Sequence, residues 1–415
     1  MRALALVDTD SYVKWGAALL AQLPAEWERE LALVATPAQP SEAQLAAALD
    51  GSGFDVGGLL HVELRSLTER VAAQLPDVVI VAMRGPAASV VMRVLADLPH
   101  RPVLVSGLPG ISIPATWKAL FYRGQADLMV LHSKQEIREF TVVGAKRGWN
   151  HTLGLATLPF MSDRTAADGR DIVFAVQSIV PDALADRERV LDILLATARH
   201  NPDHRVVIKV RALGAEQQTH AEAHSYPDLL AARSDVPSNI VVAAGPMAAA
   251  LDTARALVTV SSTAVIEAVA RHIPVRVIDE FGVSPELINT VFVGSGLFGS
   301  GEAIRQLRFE HPRADWLDDN YFHDPADNDW LAALDGLLAA RAADALATRP
   351  SLRGSAGGLL RRAWERKQAF GSHDRTALGF VALFIGVPAR SMALARRRRR
   401  NEGEEHRWVA TSLDA

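Results

Sequence analysis

The chain has 415 residues, too many for one ordinary hydrophobic core, so two domains are expected. Hydrophobic residues make up 49% and charged residues 22%, which describes a globular chain and excludes an intrinsically disordered one. The net charge of −4 gives no basis for general nucleic-acid binding, and the absence of cysteine excludes disulfides, thiolate metal sites and a cysteine nucleophile while fitting a reducing compartment.

The N-terminal stretch MRALALVDTDSYVKWG carries an apolar run too short for a signal peptide, and it reads as a first buried strand, 3–7. Further β-rich runs follow at 31–34, 78–82, 103–107 and 128–131. The polar stretch MSDRTAADGRD (161–171) interrupts the pattern and reads as a hinge. Strands resume at 172–176, 206–210, 240–243, 257–260 and 275–278, with helical segments such as 183–199 and 248–256 between them. Apolar strands alternating with helices predict parallel sheets covered on both faces. The expected class is therefore α/β, with two facing doubly wound domains. Residues 1–165 form the first, 166–340 the second, and 341–415 a set of C-terminal helices with a basic tail, of which one helix crosses back to the first domain.

No run approaches the roughly 20 apolar residues that span a bilayer. The nearest is TALGFVALFIGV (376–387), which Pro388 stops, and it leads to five consecutive arginines, Arg396–Arg400. An apolar segment beside such a charge run suits peripheral contact with an anionic membrane surface; a solvated helix end is the plainer alternative.

Ligands of open α/β sheets bind beyond the carboxyl ends of the strands, so strand-end residues are the site candidates. In LVTVSSTAVIEAVARHIPVR (257–276), Ser261, Ser262 and Thr263 stand between a strand and a helix carrying Glu267 in its first turns. One helix cap needs one hydroxyl; three at a strand end, beside unpaired backbone N–H groups, suit a phosphate. Lys209 and Arg211 share a face at the end of strand 206–210, placed for a diphosphate or a sugar carboxylate, or for ion pairs with Glu216 and Glu222. His220 and His224 read as exposed helix-face residues rather than metal ligands. Gln177 and Ser178 end the second domain's first strand, and Gly245-Pro246-Met247 form a turn that lets backbone approach a base edge. In the first domain Asp8 and Asp10 follow the first strand. One is expected to act as general base on an acceptor hydroxyl and the other to cap the next helix. The Gly-rich turn at 106–112 offers Gly110 and Ser112 to the acceptor side, without a dinucleotide fingerprint.

Two facing doubly wound domains with a C-terminal crossover helix resemble the GT-B glycosyltransferases. The segment ARALVTVSSTAVIEAVARHIPVRVI resembles the strand, Ser-Ser, helix with Glu-Ala, Pro-Val segment of capsule-polysaccharide, CMP-sialic acid and CMP-Kdo transferases and of nucleotide-sugar 2-epimerases. The chain is also similar to uncharacterised actinobacterial proteins assigned as glycosyltransferases. The resemblance implies that Ser261 and Ser262 hold the phosphate of a nucleotide-sugar co-substrate, CMP-linked or other, for transfer to a cell-envelope or polysaccharide acceptor. It implies no resident cofactor and no metal, since GT-B enzymes generally use none, and a cytoplasmic location. An inverting displacement is the simpler expectation. The CMP-sugar families carry a His-Pro pair where this chain reads Ile208-Lys209-Val210-Arg211. Either Lys209 or Arg211 takes over charge neutralisation, or the donor differs. The alternatives are a nucleotide-sugar 2-epimerase, a polyol-phosphate transferase, or a non-catalytic nucleotide-sugar-binding protein.

Overall fold

The computed structural model describes residues 1–158, 169–177, 179–210, 224–352 and 358–384. Thirteen strands among them build two sheets. The first contains β1 (Arg2–Val7), β2 (Glu28–Val34), β3 (Leu60–Val62), β4 (Val78–Ala82), β5 (Val103–Gly107), β6 (Leu128–Leu131) and β7 (Leu153–Leu155), in spatial order β3-β2-β1-β4-β5-β6-β7. The second contains β8 (Asp171–Ala175), β9 (Val206–Lys209), β10 (Ile240–Ala243), β11 (Ala254–Thr259), β12 (Val275–Ile278) and β13 (Phe298–Gly299), in order β10-β9-β8-β11-β12-β13. Neighbouring strands pair in parallel throughout, β1 with β4 through Ala3 to Val78 and β8 with β11 through Phe174 to Val258. This is the doubly wound α/β class expected from the alternating pattern.

Both faces of each sheet are buried, which explains strands without polar alternation. Ala3, Ala5 and Val7 of β1 face Trp15 and Leu19 of the helix Asp10–Gln22, while Leu4 and Leu6 face Val91 and Leu95 of the helix Gly85–Ala96. The helix Trp330–Ala342 completes the first of these cores with Trp330, Leu334 and Leu338. The crossover therefore occurs before Trp330, and the second domain ends there and not at residue 340. The helix Gly358–Phe370 returns along the opposite face, where Phe370 is fully buried.

Three further differences have simple causes. Strands β3, β7 and β13 have only two or three residues each and left no run to detect. The helix expected over 248–256 stops at Leu251, and Ala254–Ala256 already belong to β11, because alanine-rich sequence supports helix or buried strand equally well. The carboxylate expected to cap the first helix does not do so: Thr9 occupies the N-cap without a side-chain bond, and Asp10 lies in the first turn.

The domains meet through the segment after β5. Ile113 and Leu158 are buried within the second domain's core, beside Val173, Val265 and Tyr321.

Candidate functional site

In each sheet the strand order reverses at one point, and the crevice there is where an open α/β fold receives ligand. In the first sheet the reversal lies between β1 and β4, and Asp8 and Arg84 follow those strands. The Asp8 carboxylate is fully buried and accepts hydrogen bonds from the Arg84 backbone N–H (3.2 Å to Oδ1) and from its Nε (3.2 Å to Oδ2), while the Arg84 side chain stays one-third exposed. Burial pushes the Asp8 carboxyl above the ordinary carboxylate range, against the pull of Arg84 and Arg123. Asp8 thus anchors the crevice floor, and of the two strand-end carboxylates the half-exposed Asp10 is the one that reaches solvent.

Below that floor lies a polar layer. Arg123 is buried and donates through Nε to the Gly107 carbonyl (2.8 Å) and through Nη2 to the Tyr12 hydroxyl (2.6 Å). His132 receives the Trp15 indole N–H on Nε2 at 2.6 Å, and its Nδ1 lies 2.9 Å from the Ala156 carbonyl. A ring that accepts on one nitrogen and donates on the other is neutral, and burial lowers its pKa to about 4.

In the second sheet the reversal lies between β8 and β11, where Gln177 and Ser261 sit. The Gln177 amide donates to the Ser261 carbonyl at 2.5 Å, so the two strand ends are bridged directly. Thr259 donates to the Ala175 carbonyl (3.0 Å) and accepts the Ser262 N–H (3.1 Å), fixing the turn from below. The three hydroxyls then differ. Ser261 donates its one proton to the Ile288 carbonyl at 2.5 Å. Ser262 accepts the Ala264 N–H at 3.2 Å, and its own proton meets no acceptor among the described residues. Thr263 is exposed at the head of the helix Ala264–Ala270, with the half-buried Glu267 a turn further on.

Lys209 does not face the crevice as a free cation. It is buried, and its ammonium donates to the carbonyls of Val210 (2.7 Å) and Gly245 (2.6 Å). This holds the Gly245-Pro246-Met247 turn, where Gly245 takes a positive φ of 95° with open space around it. Arg211, Ser178, Glu216, His220 and Glu222 lie outside the described residues. His224 contributes its carbonyl to Arg187 at 2.7 Å.

Gly110 and Ser112 of the first domain come to the second. A Cβ on Gly110 would lie 3.4 Å from the Thr263 methyl carbon, so the acceptor-side turn closely approaches the Thr263 side chain. The turn is held by Glu136, a buried carboxylate that sequence reading missed. Glu136 accepts from Ser112 N (2.9 Å), His132 N (2.9 Å) and the Tyr321 hydroxyl of the second domain (2.6 Å). Burial raises the Glu136 carboxyl, and burial beside Glu136 raises the Tyr321 phenol well above its usual value. Around this clasp Lys134 pairs with Asp318 and Asp327, and Arg138 with Asp319. No sequence signal distinguishes Glu136 from other glutamates in a helix; only its hydrogen-bond partners do. Among the described residues no three acidic or histidine side chains converge as a metal-ligand set.

Residues 3–337 match the model of a family described as "Putative glycosyltransferase (DUF6716)". No curated protein matches the sequence. Among solved structures, a putative UDP-N-acetylglucosamine 2-epimerase from Listeria monocytogenes is similar at 15% identity, with 84% of this chain and 98% of that one covered and a TM-score of 0.53. A further UDP-N-acetylglucosamine 2-epimerase is similar at 14% identity over 82% and 94% of the two chains, with a TM-score of 0.50. A Phytolacca americana enzyme, UGT2, complexed with UDP-2fluoro-glucose and pterostilbene, matches at 10% identity over 82% and 95%, with a TM-score of 0.46 that adds no weight. At such identities the likeness is one of fold: two facing doubly wound domains, the GT-B architecture.

Proposed function

This chain belongs to the family described as "Putative glycosyltransferase (DUF6716)", and from that premise we propose that it transfers a sugar from a nucleotide-sugar donor to a glycan or lipid-linked acceptor of the cell envelope. The observation that carries the reading at the level of residues is the meeting of Thr263 with Gly110, which sets the donor-side hydroxyls against the acceptor-side turn across the interdomain cleft.

In this reading Ser262 and Thr263 donate to the phosphate of the donor, while Ser261, Thr259 and Gln177 hold the turn in place. The helix Ala264–Ala270 adds its dipole, though over only seven residues. Lys209 shapes the Gly245–Met247 turn, against which the base packs. Asp10 takes the acceptor proton, Asp8 being committed to Arg84. Stabilisation of the leaving phosphate by hydroxyls and backbone dipoles supplies much of the rate. The reaction is assigned as metal-independent and inverting, with a CMP-linked sugar as one candidate donor, in the cytoplasm at the inner face of the plasma membrane.

One observation favours a second reading, a nucleotide-sugar-binding protein without turnover: the better-placed carboxylate, Asp8, is buried and engaged.

Thermal denaturation with CMP, CDP, UDP and GDP tests the assignment. A nucleotide bound only by the native state stabilises it by RT ln(1 + [L]/Kd), about 2.7 kcal/mol at a hundredfold excess over Kd. One nucleotide should raise the midpoint. The Ser262→Ala/Thr263→Ala double variant should lose that rise, its unliganded midpoint falling only by the lost cap on the Ala264 N–H, about 0.5–2 kcal/mol, and Ser261→Ala should lower the unliganded midpoint while keeping the nucleotide shift. A flat response to all four nucleotides would sink both readings, and binding without sugar transfer would select the second.

A further inference from the structure

Residues 377–384 form a helical segment turned inside out. Its small residues Gly379 and Ala382 are buried, Gly379 beside the Asp374 carboxylate and Thr376. Its large apolar residues face outward: Leu378 is 40% exposed, Phe380 56%, Val381 49% and Phe384 86%. A surface helix ordinarily presents the opposite arrangement.

The segment is firmly mounted. The Asp374 carboxylate, nearly buried, accepts from Arg366 Nε (3.0 Å), Thr376 N (3.2 Å) and Thr376 Oγ1 (2.8 Å), which starts the helix. Lys367 donates to the Asp374 carbonyl (2.7 Å) and places its ammonium 3.8 Å from the centroid of the Phe380 ring. The Phe380 ring therefore has one face against a cation and is otherwise more than half exposed. The mount stands at the cleft end of the first domain: a Cβ on Gly371 would come within 2.8 Å of Pro37, three residues past the carboxyl end of β2.

Charge narrows what covers this face. From Arg375 to Arg400 the sequence holds seven arginines (375, 390 and 396–400) and no Asp or Glu, in a chain whose net charge is −4. Arg375, exposed beside this face, would meet its own like charge in a pairing of two copies of this chain through the face. An anionic bilayer accepts both the apolar residues and the arginines.

We propose that residues 377–384 dock the first domain on an anionic lipid bilayer, with Leu378, Phe380, Val381 and Phe384 entering the boundary between headgroups and acyl chains. The docking deepens the transferase reading and rests on it for one consequence: a first domain seated on the bilayer at its cleft end takes a lipid-linked acceptor from that surface.

The test uses the full-length chain and co-sedimentation with phosphatidylcholine vesicles, with and without phosphatidylglycerol. Binding to the phosphatidylglycerol vesicles is expected, weakening as salt is raised. The Phe380→Ser/Phe384→Ser double variant, whose melting midpoint should fall by no more than loss of the Lys367–Phe380 contact accounts for, should lose at least about tenfold in partitioning, since each buried aromatic ring is worth about that much or more. Equal partitioning of variant and wild type, or no binding by the wild type, overturns the docking. So does a concentration-dependent dimer that the variant abolishes. Nucleotide shifts measured on the same preparations separate the two proposals. Vesicle binding without any nucleotide shift leaves the docking standing and removes the transferase reading; a nucleotide shift without vesicle binding does the reverse.

Discussion

His132 makes the stability of the first domain depend on pH in a way that can be worked out. Burial, together with the charge on His323, lowers its pKa from 6.5 to about 4. Geometry gives a further reason: a proton on Nε2 would face the Trp15 indole N–H that now donates to it at 2.6 Å. The folded pKa lies below the unfolded one, so the neutral ring's stabilisation is fully present above pH 6.5 and is lost as pH falls toward about 4. Between about pH 8 and about pH 5 the loss comes to about 2 kcal/mol, or about 4–8 °C in midpoint for a domain of this size. His132→Gln keeps an acceptor for Trp15 and removes the titration.

Differential scanning calorimetry of both proteins across that range should give a difference that shrinks as pH falls, with the wild type losing stability faster. Burial raises Glu136, so that carboxyl's contribution has the opposite sign: it is fully present at low pH and lost as pH rises through the raised value. It is common to both proteins and cancels in the comparison. Parallel curves for wild type and variant would show that His132 titrates normally and would refute the reasoning.

Tyr321→Phe removes a hydrogen bond to a buried carboxylate and should cost about 1.5–3 kcal/mol in urea unfolding. In a double-mutant cycle with Glu136→Gln the two changes should be non-additive. Additivity within about 0.5 kcal/mol would mean that the two groups do not interact across the domains. Gly107→Ala sets a Cβ 2.5 Å from the Val130 carbonyl and against the Trp15 ring, with no mobile side-chain end to give way, and should destabilise by about 1–3 kcal/mol. A wild-type melt for that variant would show that the crevice floor has room.

The fold was legible in the sequence where burial is two-sided. β4, β5, β6, β10 and β12 coincide with their apolar runs because both faces pack against helices and the run has no reason to alternate. Edge strands of two or three residues carry no such run and stayed invisible. The site was legible only as position. That Asp8, Gln177, Lys209 and Ser261 would stand at strand ends followed from the pattern. Which of them face a ligand did not, because the deciding partners are backbone carbonyls, Ile288, Val210 and Gly245, to which sequence gives no pointer. Glu136 and Tyr321 stand 185 positions apart, and nothing local marks either as half of a pair.

The same hydrogen-bond accounting changes how an anion is to be held in the cleft. A hydroxyl has one proton, and that of Ser261 goes to a carbonyl of its own domain, so of an adjacent pair of serines only Ser262 can donate outward. The ammonium of Lys209 is likewise turned to carbonyls. The strand-end lysine read as a replacement for a missing His-Pro pair therefore ties the Gly245 turn to the end of its strand. In the proposed reading, neutralisation of a departing phosphate would fall to Ser262, Thr263 and the backbone of the turn, with the Gly110 segment nearby. That segment is held by Glu136, which also accepts from Tyr321, so on the proposed function the clasp between the domains would set the approach of acceptor to donor. Loosening it should therefore slow transfer more than it weakens nucleotide binding.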